Sequence, residues 1–472
     1  MNIFIFHRDL RLQDSTSLIA QIKEFGNVVP IFILTPEQIG KSTDFYNSNS
    51  IQFMCESLND LSKNINKKNG KMYFFKGDNI KVLESIHKNN PINSISFNID
   101  YTPYARKRDL DIKTFCDSHN INCIMKEDYL LYDLLNGQTN KADGTEYSVF
   151  TPFKNHCMKN LKVRKPDTFK TFKFKKVKEL EDNNYYVDEK HLDTMYTFNE
   201  HLVVNGGRNN AKKILKNIKE WKDYNKCRDF FTYKTTHLSA HNHFTTISIR
   251  ELYWTILEKL GKDNNIISEL HWRDFFSNMV YHNQHMLRNQ ISKNKNKTFK
   301  EKYNHINWKY NRDLQKRWED GNLGIPMVDA CMRELNKTGY MFGRGRMIVS
   351  SYLTKNLLHS WHEGDKYFAR KLVDYSPMMN VGNWCWQIGG VDSQQFLRIF
   401  NPYIQSKKFD SECKYIKKWI PELENVPPKD IHNWPETCNL HIKNGCTYIA
   451  PASDYAKSRI EGLNELKHIN KL

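Results

Sequence analysis

The spacing of apolar residues changes once along this chain, and the change divides it into two kinds of structure. Over residues 1–130, short apolar runs alternate with longer segments whose apolar residues recur every three or four positions. Fully apolar runs are typical of strands in a parallel sheet that helices cover on both faces. We therefore predict an α/β N-terminal domain with a parallel, five-stranded, Rossmann-like sheet, and we place four of its strands at Asn2–Phe6, Val28–Leu34, Ser94–Asn98 and Ile121–Met125.

Helical spacing fills the gaps between these runs and dominates the chain from residue 205 onward. It predicts helices over Ile51–Asn64, Ile80–Lys88, Tyr104–Ser118, Arg250–Leu260, Ile266–Gln284, Asn311–Asp320, Pro326–Lys337, Arg346–His359 and Asp365–Asp374. Residues 131–200 are mostly polar and rich in Lys, which favours a solvated connector. The expected organisation is an α/β domain over residues 1–130, a connector over 131–200 and an all-α domain over 201–472.

Composition narrows the class of protein. The chain has 472 residues and a mean hydropathy of −0.71, and it contains no apolar run long enough to cross a membrane. We therefore expect a soluble intracellular protein that does not bind membranes, and we expect a monomer. Lys and Arg number 71 against 53 Asp and Glu, a net charge of +18. That charge favours a polyanion such as nucleic acid or simply a basic surface, and charge alone does not choose between them.

The ten cysteines do not form a metal-binding pattern. No two are separated by two residues, and no His/Cys cluster has zinc spacing. We interpret all ten as reduced thiols and expect no metal site.

The segment over residues 372–402 concentrates unusual chemistry. Asp374, Ser376, Asn380, Trp384 and Trp386 fall within thirteen residues. Aromatic planes beside a few fixed polar groups suit a flat redox cofactor and a flat base substrate. An aromatic-rich core segment is the alternative.

Three further clusters have two interpretations each. Glu269, Trp272 and Arg273 lie on neighbouring parts of one helix face, where they could bind a base and a phosphate or form a surface pair beside a core Trp. The two Arg of residues 339–347 could pair with phosphate or simply begin a basic helix. The hydroxyl-rich residues 235–239 could cradle a phosphate or cap a helix.

Motifs from both halves of the chain together resemble those of the cryptochrome/photolyase family. They are Phe6–Leu12 with Asp14, Val149–Phe153, Gly206–Ala211, Trp318–Arg333 and Asn380–Trp386. The resemblance implies a U-shaped FAD in the helical domain. The residues that match cofactor-binding positions are Tyr224, Thr235, Thr236, His237, Leu238, Ser239, Arg346, Asp374, Tyr375, Ser376 and Asn380.

The resemblance also implies roles in catalysis. Trp384, Trp361 and Trp308 match, from inner to outer, the electron-transfer chain that photoreduces the flavin, and Asn380 matches the residue near flavin N5. Excited reduced flavin would donate one electron to a pyrimidine dimer flipped out of double-stranded DNA, the cyclobutane ring would open, and the electron would return. Glu269 would hydrogen-bond the dimer.

The remaining substrate positions indicate which lesion fits best. The resemblance implies that Trp272 and Trp386 sandwich the dimer and that Arg228 and Arg344 contact DNA, and Arg273 is a candidate phosphate contact. Enzymes for the (6-4) lesion carry a histidine pair where this chain has Gly343 and Met347, so a cyclobutane-dimer photolyase is the expected function. A (6-4) photolyase and a cryptochrome that signals without repair remain alternatives.

Two positions depart from the family pattern, and the identity of a second chromophore is open. Gly343 replaces an Asn near the lesion, and Ser376 replaces an Asp that usually bonds the flavin. A second, antenna chromophore could be a folate, a deazaflavin or absent. Its candidate neighbours are Asn98, Asp100 and Tyr101.

Overall fold

The computed structural model of the chain describes residues 1–287, 298–392 and 398–471. Residues 393–397 of the aromatic segment lie outside the described part. Five parallel strands form the N-terminal sheet in the order β5-β4-β1-β2-β3, and a short antiparallel strand, β6, extends the β3 edge. The strands are β1 (Asn2–Phe6), β2 (Val29–Leu34), β3 (Tyr73–Lys76), β4 (Ser94–Asn98), β5 (Asn122–Lys126) and β6 (Tyr186–Val187).

The central strands are apolar on both faces because both faces are covered. Phe4 and Phe32 pack into one core cluster, whereas Ile3 and Ile31 pack into another on the opposite face. All four side chains are 0% exposed. A strand buried on both sides needs an unbroken apolar run, which is the signal that the sequence carries. The predicted α/β class and parallel sheet are confirmed.

The helices that accompany the sheet begin at defined caps. The Asp78 side chain, for example, accepts hydrogen bonds from the N–H groups of Ile80 and Lys81. The predicted helices in this half agree with the observed ones to within three residues. The observed helices are α1 (Thr16–Phe25), α2 (Pro36–Ile39), α3 (Ser48–Asn66), α4 (Asn79–Asn89) and α5 (Pro103–Ser118).

Residues 131–200 are less solvated than predicted. They contain α6 (Phe150–Asn160) and β6, and Phe153 and Cys157 of α6 are 0% exposed. The backbone N–H of Leu131 donates to Asp274 of the helical half at 2.9 Å. Hence parts of this segment pack against both halves, because their scattered apolar residues and main-chain donors find partners there. The predicted domain limits themselves stay a prediction.

The rest of the chain is helical, as predicted. Its helices are α7 (Arg208–Lys216), α8 (Tyr224–Cys227), α9 (Ser239–His243), α10 (Ile249–Leu260), α11 (Asn265–His282), α12 (Arg312–Asp320), α13 (Pro326–Thr338), α14 (Gly343–Ser351), α15 (Trp361–Lys371), α16 (Pro377–Gln387), α17 (Pro402–Phe409), α18 (Lys414–Trp419), α19 (Pro428–Ile431), α20 (Trp434–Lys443) and α21 (Tyr455–Lys471). None of the helices in the described ranges is long and apolar enough to span a bilayer.

Two predicted helices have different bounds from those expected. The single helix predicted over Arg346–His359 is α14 followed by a π-helical turn, Tyr352–Asn356. The helix predicted to begin at Asp365 begins at Trp361, because the Ser360 side chain accepts from the N–H of His362 and caps it there.

A buried ion network joins the two halves. Asp128 accepts from Arg11 at 2.6 Å and from Arg250 of α10 at 2.7 Å, and Asp14 accepts from Arg250 at 2.6 Å. These four side chains are no more than 3% exposed. The network fixes α10 against the carboxyl end of β1, beside the site described next.

Candidate flavin and substrate site

A partly buried ion pair lies in the candidate flavin site. Arg346 of α14 donates from one nitrogen to both carboxylate oxygens of Asp374, at 3.0 and 2.8 Å. Burial raises the pKa of Asp374, but the adjacent Arg346 guanidinium more than offsets this and holds the pKa below its usual range. The pair is therefore charged at neutral pH and can orient a polar ring edge. The sequence predicted both residues at this site.

Asn380 is held by a residue that the sequence analysis missed. Its side-chain N–H donates to Asp365 Oδ1 at 2.6 Å, and Tyr375 also hydrogen-bonds to Asp365. Burial raises the pKa of Asp365 to about 7. The spacing of Trp361, Asp365 and Phe368 on one face of α15 was a signal that this carboxyl points inward. Because its Nδ2 is committed to Asp365, Asn380 presents its carbonyl oxygen elsewhere as an acceptor.

The loop of residues 235–238 provides donors suited to a phosphate. The backbone N–H groups of Thr235, Thr236 and His237 have no acceptor among the described residues. His237 adopts a left-handed backbone with φ of 53°, which turns the loop into α9. Burial, and then the nearby Lys234 charge, lower the pKa of His237 to about 4, so its ring is neutral. Unpaired main-chain donors beside the Arg346–Asp374 ion pair fit a cofactor with a polar ring and a diphosphate.

Other predicted cofactor residues lie around this loop. The Thr235 hydroxyl is 3.3 Å from the Tyr340 hydroxyl, and the His237 ring lies 4.7 Å from the Tyr340 ring. Ser239 hydrogen-bonds to Asp374 and so joins the loop to the ion pair. Leu238 is buried beneath the loop, Tyr224 is half-buried beside Arg228, and Ser376 caps α16 without a side-chain bond to it.

Trp384 and Trp361 lie in adjacent buried positions. Trp384 is 2% exposed and meets the Phe368 ring edge-on at 5.2 Å. It also packs on Gly364, where an added Cβ would lie 2.2 Å from the indole. Since Gly364 is one turn beyond Trp361 on α15, the two indoles occupy the same end of that helix.

Trp308 lies nearer the surface. It is half-buried, and the next residue, Lys309, donates its backbone N–H to Leu358 O at 2.8 Å, close to the start of α15. The structure therefore brings Trp384, Trp361 and Trp308 into one region that runs from core to surface. Their role in electron transfer stays a prediction.

The predicted substrate residues lie on and around α11. Glu269 pairs with Arg228 rather than with Arg273, so the surface pair that was the alternative interpretation is wrong. Burial raises the pKa of Glu269, and the Arg228 charge opposes part of that rise. Arg273 instead donates to the backbone carbonyls of Tyr129 and Asn242, which ties α11 to the first half of the chain.

The aromatic pair expected to sandwich the dimer has a neighbour that the analysis did not assign. Trp272 stacks on Phe150 with ring centroids 3.6 Å apart and planes 7° from parallel. Asp392 accepts from the Phe150 backbone N–H at 3.1 Å and from the Trp386 indole at 3.2 Å, so it links the two. The Val149–Phe153 motif was the signal for Phe150, although it pointed to domain packing rather than to this face.

Three predicted residues surround the start of α14. Gly343 is exposed, and a Cβ there would meet nothing within 4 Å, so the missing Asn side chain leaves open space. Arg344 pairs with Asp229 at 2.5 Å. Met347 is half-buried. Neither Gly343 nor Met347 can carry a proton.

A cavity of about 280 Å³ lies between the two halves of the chain, and its lining includes Tyr375 and Ser376 of the predicted cofactor set. Its charged lining includes Arg8, which pairs with Asp100, and Arg108, which pairs with Asp109, and the buried ring of His7 also lines it. Of the three residues expected near a second chromophore, only Asp100 lines it. Asn98 and Tyr101 are turned into the domain, where they donate to Asp9 and Glu127.

Comparison with known proteins agrees with this arrangement. Residues 2–171 match the DNA photolyase family model, and residues 266–468 match the FAD-binding domain of DNA photolyase, which confirms the predicted cofactor. The chain is 31% identical to the deoxyribodipyrimidine photo-lyase of Buchnera aphidicola subsp. Baizongia pistaciae, over 99% of this chain and 98% of that protein.

Solved structures give the same result. An archaeal photolyase from Sulfolobus tokodaii, solved with two FAD molecules, is 34% identical and matches over the whole of both chains with a TM-score of 0.86. A cryptochrome from Synechocystis, at 22% identity and a TM-score of 0.82 over 98% of each chain, shares the fold. The motifs of the sequence, the two-part fold and these full-length matches agree: the chain belongs to the DNA photolyase family.

Proposed function

We propose that this chain is a deoxyribodipyrimidine photo-lyase that splits cyclobutane pyrimidine dimers in DNA under light. The observation that carries the proposal is the composition of the substrate face. Glu269, Trp272 and Trp386 provide a hydrogen-bonding group and aromatic planes, whereas Gly343 and Met347 provide no acid or base. Such a face can hold a flat dimer, and it lacks the histidine pair with which a (6-4) enzyme transfers protons.

The chain's own residues bind and orient rather than react. Reduced FAD supplies the photoexcited electron when it is bound. The Arg346–Asp374 pair and the donors of residues 235–237 fix the cofactor, and Asn380 presents an acceptor whose orientation Asp365 sets. Glu269, with its raised pKa, can share a proton with the dimer as negative charge develops there.

Binding to DNA follows from charge and from the cost of flipping. The net charge of +18 supplies affinity for phosphates that does not depend on sequence. A dimer stacks and pairs poorly, so moving it out of the duplex costs less than moving a sound pair. Aromatic contacts with Trp272 and Trp386 offset the remaining cost.

The cavity between the two halves is the proposed site of a second chromophore. The cavity is lined by the buried ring of His7 and by Arg8 and Arg108, which Asp100 and Asp109 already neutralise, so hydrogen bonding rather than net charge would select its ligand. The test is the absorption spectrum of whatever small molecules denatured protein releases. A second pigment beside FAD supports this site, and FAD released at one molecule per chain with nothing else contradicts it.

The experiment for the main proposal measures repair directly. Purified protein with photoreduced FAD is mixed with an oligonucleotide that carries a cyclobutane thymine dimer and illuminated with blue light. We expect thymine absorbance to recover in light, to stay constant in darkness, and to recover far more slowly with Glu269→Ala. Trp386→Ala should slow recovery in the same way. Trp254→Ala is its control, because the Trp254 indole lies on α10 against Lys165 and its loss should leave repair unchanged. No recovery by protein that binds and photoreduces FAD would overturn the proposal.

A further inference from the structure

Two neighbouring residues after α8 pair with helices on opposite sides of the substrate face. Arg228 pairs with Glu269 of α11, and Asp229 Oδ2 lies 2.5 Å from Arg344 Nη2 of α14. Together Glu269, Arg228, Asp229 and Arg344 form a row of alternating charge. Both arginines that the sequence assigns to DNA contact are therefore occupied by carboxylates in the protein alone.

Arg344 is positioned so that Asp229 takes its accessible side. The Arg344 side chain is only 13% exposed, and its guanidinium lies 4.8 Å from the centre of the Phe409 ring. The Asp229 side chain, in contrast, is 36% exposed. Carboxylate and phosphate oxygens are the same kind of acceptor for a guanidinium, so a DNA phosphate that approaches the accessible side of Arg344 competes with Asp229.

We propose that Asp229 is a specificity-determining residue that keeps Arg344 from the phosphates of intact duplex DNA and releases it only to the backbone of a flipped-out lesion. This inference rests on the proposed function. A straight duplex lies over the substrate face without being drawn into it, so it meets an Asp229–Arg344 pair of zero net charge. A backbone drawn toward that face by a flipped dimer comes close enough to exchange phosphate for carboxylate.

The consequence is a difference in the number of ionic contacts. Binding to intact DNA consists of phosphate contacts, and each contact adds about 0.9 to the slope of log affinity against log salt concentration. With Asp229 present, intact DNA gains no contact at Arg344, whereas dimer DNA does. Without the carboxylate, both kinds of DNA gain it, and the preference for the lesion shrinks.

The test compares Asp229→Asn with Asp223→Asn, which removes the same charge from an exposed residue of the same segment for which the described structure shows no ion pair. Dissociation constants are measured in darkness for an intact duplex and for the same duplex with one dimer, over a range of salt. For Asp229→Asn we expect the preference for the dimer to fall by about threefold or more, and the salt slope for intact DNA to rise by about one. Asp223→Asn should change neither.

A second variant removes the other partner. Arg344→Gln should weaken binding of dimer duplex by about threefold or more, while affinity for intact duplex stays within about twofold. All variants are checked for bound FAD, so a failure of Asp229→Asn to fold leaves the Arg344→Gln comparison decisive. Equal tightening of both duplexes by Asp229→Asn, or equal loss with Arg344→Gln, would overturn the inference. Wild type with no preference for the dimer would instead contradict the proposed function.

Discussion

Asp128 offers the strongest test of how the two halves are held together. Its side chain is 0% exposed and accepts from Arg11, Arg250 and Thr16, at 2.6, 2.7 and 2.6 Å. Asp128→Asn keeps the shape but removes the charge, so buried Arg11 loses the carboxylate with which it pairs, and Arg250 keeps only that of Asp14. Breaking a buried pair in this way costs about 3–5 kcal/mol.

That cost is large beside the total stability of a domain, about 5–15 kcal/mol. For a chain of 472 residues that unfolds as one unit, it corresponds to a fall of roughly 3–5 °C in the midpoint of thermal unfolding. The assay is thermal unfolding of the FAD-loaded protein at pH 7, scanned at one fixed rate. Asp111→Asn, which removes the same charge from an exposed i,i+4 pair with Lys107, is the control and should leave the midpoint unchanged.

The pH dependence gives a second check on the same residue. Burial raises the pKa of Asp128, but Arg11 and Arg250 outweigh it and hold the pKa below its usual range. The contribution of Asp128 to folding stability is therefore fully present above about pH 4, the ordinary pKa of an aspartate, and is lost only as pH falls below that value. The reasoning would be refuted if Asp128→Asn lowered the free energy of unfolding by less than about 1 kcal/mol at pH 7. It would also be refuted if the difference in unfolding midpoint between variant and wild type varied between pH 5 and 8.

Three further changes test the flavin side of the site. Burial raises the pKa of Asp365 to about 7, so this group makes the wild type less stable as pH rises from about 4 to about 7. Asp365→Asn removes the charge, and the new amide oxygen can still accept from Asn380. The unfolding midpoint of this variant should therefore rise relative to wild type between pH 5 and 8, and a constant difference would contradict the raised pKa. Gly364→Ala places a Cβ 2.2 Å from the Trp384 indole and should destabilise the protein by about 1–3 kcal/mol in the same assay, so an unchanged midpoint would show that the indole moves freely. Trp308→Phe should retain FAD yet slow its photoreduction in blue light by about tenfold or more, whereas an unchanged rate would remove Trp308 from the electron path.

The sequence predicted most of the fold because its signals are local. Buried strands such as Val29–Leu34 are continuous apolar runs, and helices such as Asn265–His282 carry apolar residues at regular spacing. Strand β6 escaped prediction because two residues at the sheet edge carry no pattern of their own. The π-helical turn at Tyr352–Asn356 escaped because its residues continue the apolar spacing of α14.

The site was predicted less completely, since motifs name residues but not their partners. Arg346 and Asp374, both expected at the cofactor site, are 28 positions apart and form an ion pair. Asp365, Phe150 and Asp229 act through contacts with residues distant in sequence, and only the folded chain brings those residues together. The pairing of Glu269 with Arg228 rather than Arg273 has the same cause, because tertiary contacts outweigh helical proximity.

The most direct test of the central claim compares two lesions in one reaction. Photoreduced protein is illuminated with equal amounts of an oligonucleotide that carries a cyclobutane thymine dimer and one that carries a (6-4) product, and the repaired strands are separated and counted. The account predicts that the cyclobutane dimer is converted to thymines in light only, and that the (6-4) product is untouched because Gly343 and Met347 supply no proton. Repair of the (6-4) product, or of neither lesion by protein with bound and photoreducible FAD, would contradict it.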